Sequence, residues 1–188
     1  SAKLINKNSH FLKCDITNYS NLFKKLIIYK KKIFAIIHLA AKLSVSESET
    51  KPLKYYKNNV IGTENILKIS KALEVQKFIF SSTCAVYGNS TKEKISENDP
   101  AIPVSNYGKS KLFAEKLIQE FAKMYNFKFA ILRYFNVVGA DPRGRSGQIY
   151  GKNIFKVLCS NLVVKKYKID VFGNNYATKD GSCVRDYI

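Results

Sequence analysis

The sequence predicts an α/β protein built on a doubly wound parallel sheet. Ile33-Phe34-Ala35-Ile36-Ile37-His38-Leu39 is a continuous apolar run, the pattern of a parallel strand buried on both faces. Lys77-Phe78-Ile79-Phe80 and Phe127–Tyr134 are two more strand-like runs. Stretches with helical apolar spacing separate them, and alternation of this kind is the signature of a parallel sheet with helical crossovers.

Taken in order, Phe11-Leu12-Lys13-Cys14 reads as a short strand ending at Asp15. Thr17 or Asn18 then caps a helix through Leu22, Phe23, Leu26 and Ile27. The Ile33 run follows and ends in the small residues Ala40-Ala41. A second helix starts near Pro52 and continues through Tyr55, Val60, Ile66 and Leu73, weakened in its middle by Gly62. After the Lys77 strand comes a long loop with Gly88, Pro100 and Pro103. A third helix begins at Ser105 or Asn106, with Phe113, Leu117 and Phe121 recurring every fourth residue, as do Ala114, Ile118 and Ala122. The Phe127 strand leads into a glycine-bearing loop from Asn136. A helix from about Asn153 and a strand at Ile169-Asp170-Val171-Phe172 close the chain.

In such sheets ligands bind beyond the carboxyl ends of the strands. Asp15, Ala40-Ala41, Thr83 and Asn136 fall at those ends. No Gly-x-Gly-x-x-Gly turn is present, and the first of the nine glycines is Gly62. The sheet therefore reads as lacking its first strand and glycine-rich phosphate turn. The chain begins with Ser1 and ends in an apolar run at Tyr187-Ile188, which we read as an internal fragment. The expected division is a partial dinucleotide-binding domain over 1–150 and the start of a second region over 151–188.

Composition narrows the class of function. A hydrophobic content of 46% suits a packed core, and no run approaches the ~20 apolar residues that span a bilayer. The polar, lysine-bearing N-terminus does not have the pattern of a signal peptide. A net charge of +18 invites a polyanion-binding reading. Against it, the lysines are spread along the chain, and Arg133, Arg143, Arg145 and Arg185 are the only arginines. The expectation is no nucleic-acid partner and no membrane partner. Cys14, Cys84, Cys159 and Cys183 have no Cys-x-x-Cys spacing, which argues against a zinc site and suits a reducing cytoplasm. His10 and His38 are the only histidines, and His38, at the end of a strand, is expected to be structural.

The chemical signal is Ser105-Asn106-Tyr107-Gly108-Lys109-Ser110-Lys111. On a helix, Tyr107 and Lys111 share a face. An ammonium beside a phenol favours the phenolate. Bringing a tyrosine from ~10 to about 7 takes roughly 4 kcal/mol, expected from Lys111 and other positive groups. Such a phenolate can take a proton from a sugar hydroxyl. Taken alone, the pair is equally an aromatic core residue and a solvated lysine.

Its company is more specific. Asp15-Ile16, His38-Leu39-Ala40-Ala41, Tyr55–Thr63 with Asn58-Asn59, Phe80–Gly88, Tyr107–Lys111 and Arg133-Tyr134-Phe135-Asn136 occur in one order. In that order they resemble the extended short-chain dehydrogenase/reductase superfamily. Arg133–Ala140 and Asp180–Ile188 narrow the resemblance to the UDP-glucose 4-epimerases.

The resemblance implies an NAD-binding Rossmann-like fold and an isomerase that inverts C4 of a UDP-hexose, UDP-galactose to UDP-glucose, through a 4-keto intermediate. It implies that Tyr107 is the acid/base, that Lys111 holds the nicotinamide ribose, and that Thr83 bonds the 4-oxygen. Asp15 would accept from the adenine amine with Ile16 against the ring. Leu39, Ala40, Ala41, Lys42 and Leu43 would line the cofactor, with Asn58 and Phe135 near the nicotinamide. Some epimerases have lysine where Leu43 stands, which costs this chain one contact. Asn136, Asn153, Val171, Phe172 and Arg185 would hold the UDP-sugar, Arg185 by its phosphates.

Singly, each has a plainer role: Asp15 ends a strand, Thr83 is a turn hydroxyl, Asn136 and Asn153 are caps, and Arg185 is a surface charge. Family members are commonly homodimers, with the helix after Pro52 and the Tyr107 helix as the candidate interface. The fragment by itself is expected to be inactive and to retain cofactor poorly. Sugar-nucleotide 4,6-dehydratases, which usually carry Asp-Glu where this chain has Cys84-Ala85, and epimerases of UDP-glucuronate or UDP-N-acetylglucosamine are the neighbouring activities. A non-catalytic NAD-binding scaffold on the same sheet is the alternative outside enzymes.

Overall fold

A computed structural model describes residues 8–90, 92–145, 153–171 and 173–188. The chain packs as two compact units, His10–Tyr134 and a second formed by Phe135–Ile188 with Asn8 and Ser9.

The first unit contains a parallel sheet of three strands, β1 (Ile36–His38), β2 (Lys77–Thr83) and β3 (Lys128–Tyr134), in that spatial order. Register runs Ile36 to Phe78 and Lys77 to Lys128. Helix α1 (Tyr19–Leu26) is capped by Asn18, whose side chain accepts from the Asn21 N–H at 3.0 Å. After β1 comes the short α2 (Val45–Thr50), then α3 (Pro52–Tyr55), a π-helical turn (Tyr56–Ile61) and α4 (Gly62–Ala72). Helix α5 (Asn106–Tyr125) joins β2 to β3. The strands succeed one another in one direction, and right-handed crossovers then place α4 and α5 on the same face. There Leu67 of α4 and Ala114 and Ile118 of α5 close over Phe78, Phe80 and Phe127. A second cluster packs Leu22 of α1 against Ile69, Leu73 and Val75.

Several sequence expectations change. Phe11–Cys14 is not a strand: the Lys13 carbonyl is taken by the Lys25 ammonium at 2.8 Å, and Cys14 packs into the Leu22 cluster instead of joining a ladder. β1 is buried on one face only. Ile37 is 63% exposed, because the crossover helices cover the other side. α2 was not expected. Ser44 caps it by accepting from the Glu47 N–H at 3.2 Å, the backbone half of a Ser-x-x-Glu capping box. The predicted helix from Pro52 is split by the π turn just before Gly62. At Gly62 a Cβ would lie 2.5 Å from Cδ1 of Ile16, the end of a side chain that can turn aside.

In the second unit, α6 (Ile154–Val163) begins where expected, capped by Asn153. Ile169–Val171 forms no strand; the Lys168 carbonyl accepts from Asn161 at 2.9 Å, and Val171 is exposed. Phe172 lies outside the described residues.

Candidate active site

Helix α5 presents the tyrosine. The first N–H groups of an α-helix have no intrahelical partner, and this chain supplies side-chain acceptors for three of them before the first i→i−4 bond, that of Lys109, closes. Asn106 N donates to Oε1 of Glu49 (2.8 Å) and Tyr107 N to Oγ of Ser48 (3.0 Å). Gly108 N donates to Oγ of Ser105 (3.0 Å) and Lys109 N to the Ser105 carbonyl (2.8 Å). Ser105 is thus the cap. Two of the three side-chain acceptors come from α2, so α2 fixes where Tyr107 begins its helix.

Gly108 sets how close α5 comes to the 3-10 turn Cys84–Tyr87 that follows β2. A Cβ there would lie 2.6 Å from the Ala85 carbonyl oxygen and 3.0 Å from Cβ of Pro103. Gly108→Ala is therefore expected to lower stability by about 1–3 kcal/mol, and also to move Tyr107 relative to Thr83. Thermal melts and activity of the same variant check both parts.

Tyr107 is 8% exposed. Its ring meets that of Tyr55 edge-on at 6.5 Å, and the Tyr55 hydroxyl donates to Oε2 of Glu47 at 3.0 Å. Burial pushes the Tyr107 phenol up from its usual value, a hydrogen bond with Thr83 pulls it down, and charge on Cys84 pushes it up. This corrects the sequence expectation of a phenol lowered by Lys111. Desolvation wins, and the Lys111 ammonium lies over the Phe80 ring, 4.1 Å from its centroid. Thr83 ends β2, and its Oγ1 accepts from the Ala85 N–H at 3.2 Å, so its own hydroxyl proton remains available to another oxygen. Lys111 is 3% exposed, and burial brings its ammonium down to about 8 against an upward pull from Glu115.

His38, at the end of β1, is structural. Thr63 Oγ1 gives its proton to the Asn59 carbonyl at 2.6 Å, so His38 Nε2, 3.0 Å away, must be the donor to Thr63. The ring is the neutral Nε2–H tautomer, held at a pKa of about 4 first by burial and then by the charge of Lys111. Below pH 6.5 the unfolded chain takes up a proton that the folded one refuses. Stability is therefore expected to fall as pH drops from 6.5 towards 4, by about 3 kcal/mol at about 1.4 kcal/mol per pH unit. Denaturant titrations at pH 7 and pH 4.5 should show this loss in the native chain and much less of it in His38→Gln.

A groove of about 670 Å³ is lined by Asp15, Ile16, Ala40, Ala41, Lys42 and Asn58, among others. Six of the predicted cofactor residues thus meet at one place, near the carboxyl end of β1. Asp15 Oδ1 accepts from the Thr17 N–H (2.8 Å) and hydroxyl (2.9 Å). The Thr17 backbone bond is the main reason its carboxyl sits below the usual range. Oδ2 accepts from none of the described residues. An anionic acceptor beside an aliphatic side chain, with Ala40 and Ala41 in the same lining, is a set of groups that fits an adenine ring and its amine. Leu39 and Leu43, in the same loop, are exposed.

Sequence reasoning missed the residues that hold this groove. Asn59 is 1% exposed; its Oδ1 accepts from Lys42 N (2.8 Å) and its Nδ2 donates to the Lys42 carbonyl (3.1 Å) and to Ser110 (3.0 Å). Asn65 donates to the Ile16 carbonyl at 2.9 Å. The available signal was two polar, weakly helix-forming asparagines on faces that must be buried.

The remaining predicted residues belong to the second unit. Asn136 forms an isolated parallel bridge with Tyr187, its N–H and side chain donating to the Asp186 carbonyl at 3.3 and 2.9 Å. Asn153 accepts from Lys156 N at 2.8 Å. Phe135 is half-buried, and Val171 and Arg185 are exposed.

A parallel sheet with a groove at the carboxyl end of β1 and a Tyr-x-x-x-Lys pair near the end of β2 defines a Rossmann-like protein of the tyrosine–lysine type. The sequence profile of the family described as GDP-mannose 4,6-dehydratase matches residues 1–188, and the chain belongs to that family. Among curated relatives, UDP-glucose 4-epimerase of Halalkalibacterium halodurans is 41% identical over 158 residues, 83% of this chain and 47% of the relative. That of Lacticaseibacillus casei is 36% identical over 188 residues, 99% and 56%. A crystal structure of UDP-glucose 4-epimerase superposes with a TM-score of 0.90 at 35% identity, covering 98% of this chain and 56% of the other. The Brucella ovis enzyme, solved in complex with NAD, gives 0.88 at 35%, covering 96% and 55%. The chain spans about half the length of the relatives it matches.

Proposed function

We propose that the protein carrying this sequence is an NAD-dependent UDP-sugar 4-epimerase acting on UDP-galactose and UDP-glucose. The observation that carries the reading is the buried Tyr107 beside Thr83, with Lys111 one turn further along the same helix. The cofactor groove and the names of the relatives support it. Asp15 and Ile16 would hold the adenine, and Ala40, Ala41, Lys42 and Asn58 the middle of the cofactor. Bound NAD supplies the hydride acceptor and donor for carbon 4 and a positive ring that favours the Tyr107 phenolate. Tyr107 takes the proton from the 4-hydroxyl and returns it after the carbon has inverted. Thr83 donates to the 4-oxygen, and Lys111 holds the ribose and adds positive charge beside Tyr107.

Asn136, Asn153, Val171, Phe172 and Arg185 are proposed to bind the UDP-sugar, with Phe135 beside the nicotinamide. In this division, 1–150 serves the cofactor and 151–188 begins the UDP-sugar region. A cytoplasmic homodimer is the proposed assembly. The apolar side chains exposed on α5 (Phe113, Met124) and on the helix from Pro52 (Leu53, Ile61) support it. Sedimentation equilibrium at the monomer mass would remove the dimer.

The test uses the complete reading frame, incubated with UDP-galactose and NAD and followed by NMR. Appearance of UDP-glucose supports the assignment. NAD binding without conversion overturns the galactose reading in favour of another UDP-sugar. Elimination to a 4-keto-6-deoxy product would point to the dehydratase activity in the family's name. Cys84-Ala85 speaks against that outcome, since neither side chain can protonate a leaving hydroxyl as a carboxylic acid would.

A further inference from the structure

Three consecutive side chains of α2 reach the start of α5. Ser48 Oγ accepts from the Tyr107 N–H at 3.0 Å. Ser48 has no exposed surface, and its own proton goes to the Val45 carbonyl at 2.6 Å, with Oε1 of Glu49 further off at 3.1 Å. Toward Tyr107 its oxygen therefore serves as an acceptor. Glu49 takes both donors of Asn106, the N–H on Oε1 at 2.8 Å and Nδ2 on Oε2 at 3.0 Å. Glu47 holds the ring behind the tyrosine: its Oε2 accepts from the Tyr55 hydroxyl at 3.0 Å and its Oε1 from Lys54 at 2.6 Å, and Tyr55 meets Tyr107 edge-on.

The body of α5 is fastened elsewhere. Glu115, two turns beyond Tyr107, is 1% exposed, pairs with Arg133 of β3 at 2.7 Å and accepts from Ser82 of β2. Ser110 accepts from Asn59 at 3.0 Å. The groove wall is likewise held without α2, since Asn59 binds both the N–H and the carbonyl of Lys42. Apart from the cap Ser105, α2 supplies the described acceptors for the first backbone N–H groups of α5.

We infer that Ser48 and Glu49 are positioning residues of the reaction: they set the backbone of Tyr107 so that its hydroxyl stands beside Thr83, and they act through Tyr107 alone. The inference rests on the proposed epimerase reading for its consequence in turnover, not for the hold on Tyr107. Alanine at position 48 would leave a buried N–H without its acceptor, and such a group shifts to find another. The Tyr107 side chain moves with its backbone, and a reacting group misplaced by about 1 Å can lose on the order of 100-fold in rate.

The experiment uses the complete reading frame. Ser48→Ala is expected to lower kcat for UDP-galactose by about 10- to 100-fold with KM within about three-fold of the native value. In a Tyr107→Phe background the same substitution should cost less than about two-fold, because a residue that acts through the hydroxyl has nothing left to act on. Ring signals of 13C-labelled tyrosine, assigned with Tyr107→Phe and Tyr125→Phe, read the position without turnover. Ser48→Ala and Glu49→Ala should each displace the Tyr107 signal and leave that of Tyr125, at the far end of α5, in place. If Ser48→Ala does not fold, Glu49→Ala, at an exposed site, carries both measurements. An equal loss in the Tyr107→Phe background, a rise in KM at unchanged kcat, an unmoved Tyr107 signal, or a Tyr125 signal that moves as far overturns the inference. If the native chain inverts no UDP-sugar, the epimerase reading fails, and the ring signals still decide the role of Ser48 and Glu49.

Discussion

Tyr107→Phe in the complete reading frame is expected to lower UDP-galactose turnover by about 10²- to 10⁴-fold with NAD binding retained. The size follows from what the hydroxyl does and the rest of the side chain does not. The edge-on contact with Tyr55 at 6.5 Å needs only the ring, and the bond to Ser48 uses the backbone N–H. Phenylalanine keeps both, so the variant should melt near the native chain. What disappears is the hydroxyl, and with it the proton acceptor beside Thr83. Turnover within a few-fold of the native chain would remove Tyr107 as the base. A loss that tracks unfolding would make the residue a packing element.

Arg133→Met is expected to destabilise the protein by about 3–5 kcal/mol, because it strands the Glu115 carboxylate with Ser82 as its remaining donor. Urea unfolding measures it. The double replacement Arg133→Met with Glu115→Leu should recover part of the loss, since the stranded carboxylate is then gone. If the single variant costs less than about 1 kcal/mol, the ion pair is not what joins α5 to β3.

The sequence made the large elements legible because their signals are local. Strands at Ile36, Lys77 and Lys128, the Asn18 cap, Pro52 at the start of its helix and the long α5 all follow from periodicity and end residues. Its failures are non-local. Whether Phe11–Cys14 is a strand depends on a neighbour to pair with, and Lys25 took the Lys13 carbonyl first. Glu115 reads as a surface residue on a helix with lysines around it; only the approach of Arg133 and Ser82 from two strands makes it internal. The direction of the Tyr107 shift was misread for the same reason. Sequence spacing brings a lysine near, but the depth of burial, which decides the sign, is a property of the assembled sheet. Ser44-Val-Ser-Glu47 was a readable capping signal that went unused, and with it the helix that seats α5.

The π-helical turn has one further consequence. Between Tyr56 and Ile61 the helix carries its extra residue, and the consecutive Asn58 and Asn59 serve opposite clients, the open groove and the buried backbone of Lys42. A regular helix advances about 100° per residue. Deleting one residue from Tyr56–Ile61 would restore an unbroken helix and rotate everything beyond the deletion by that angle. Tyr55, behind Tyr107, and Gly62, beneath Ile16, could not both keep their places. This stretch should therefore tolerate changes of letter far better than changes of length, and across related chains its spacing, more than its spelling, is what evolution has to preserve.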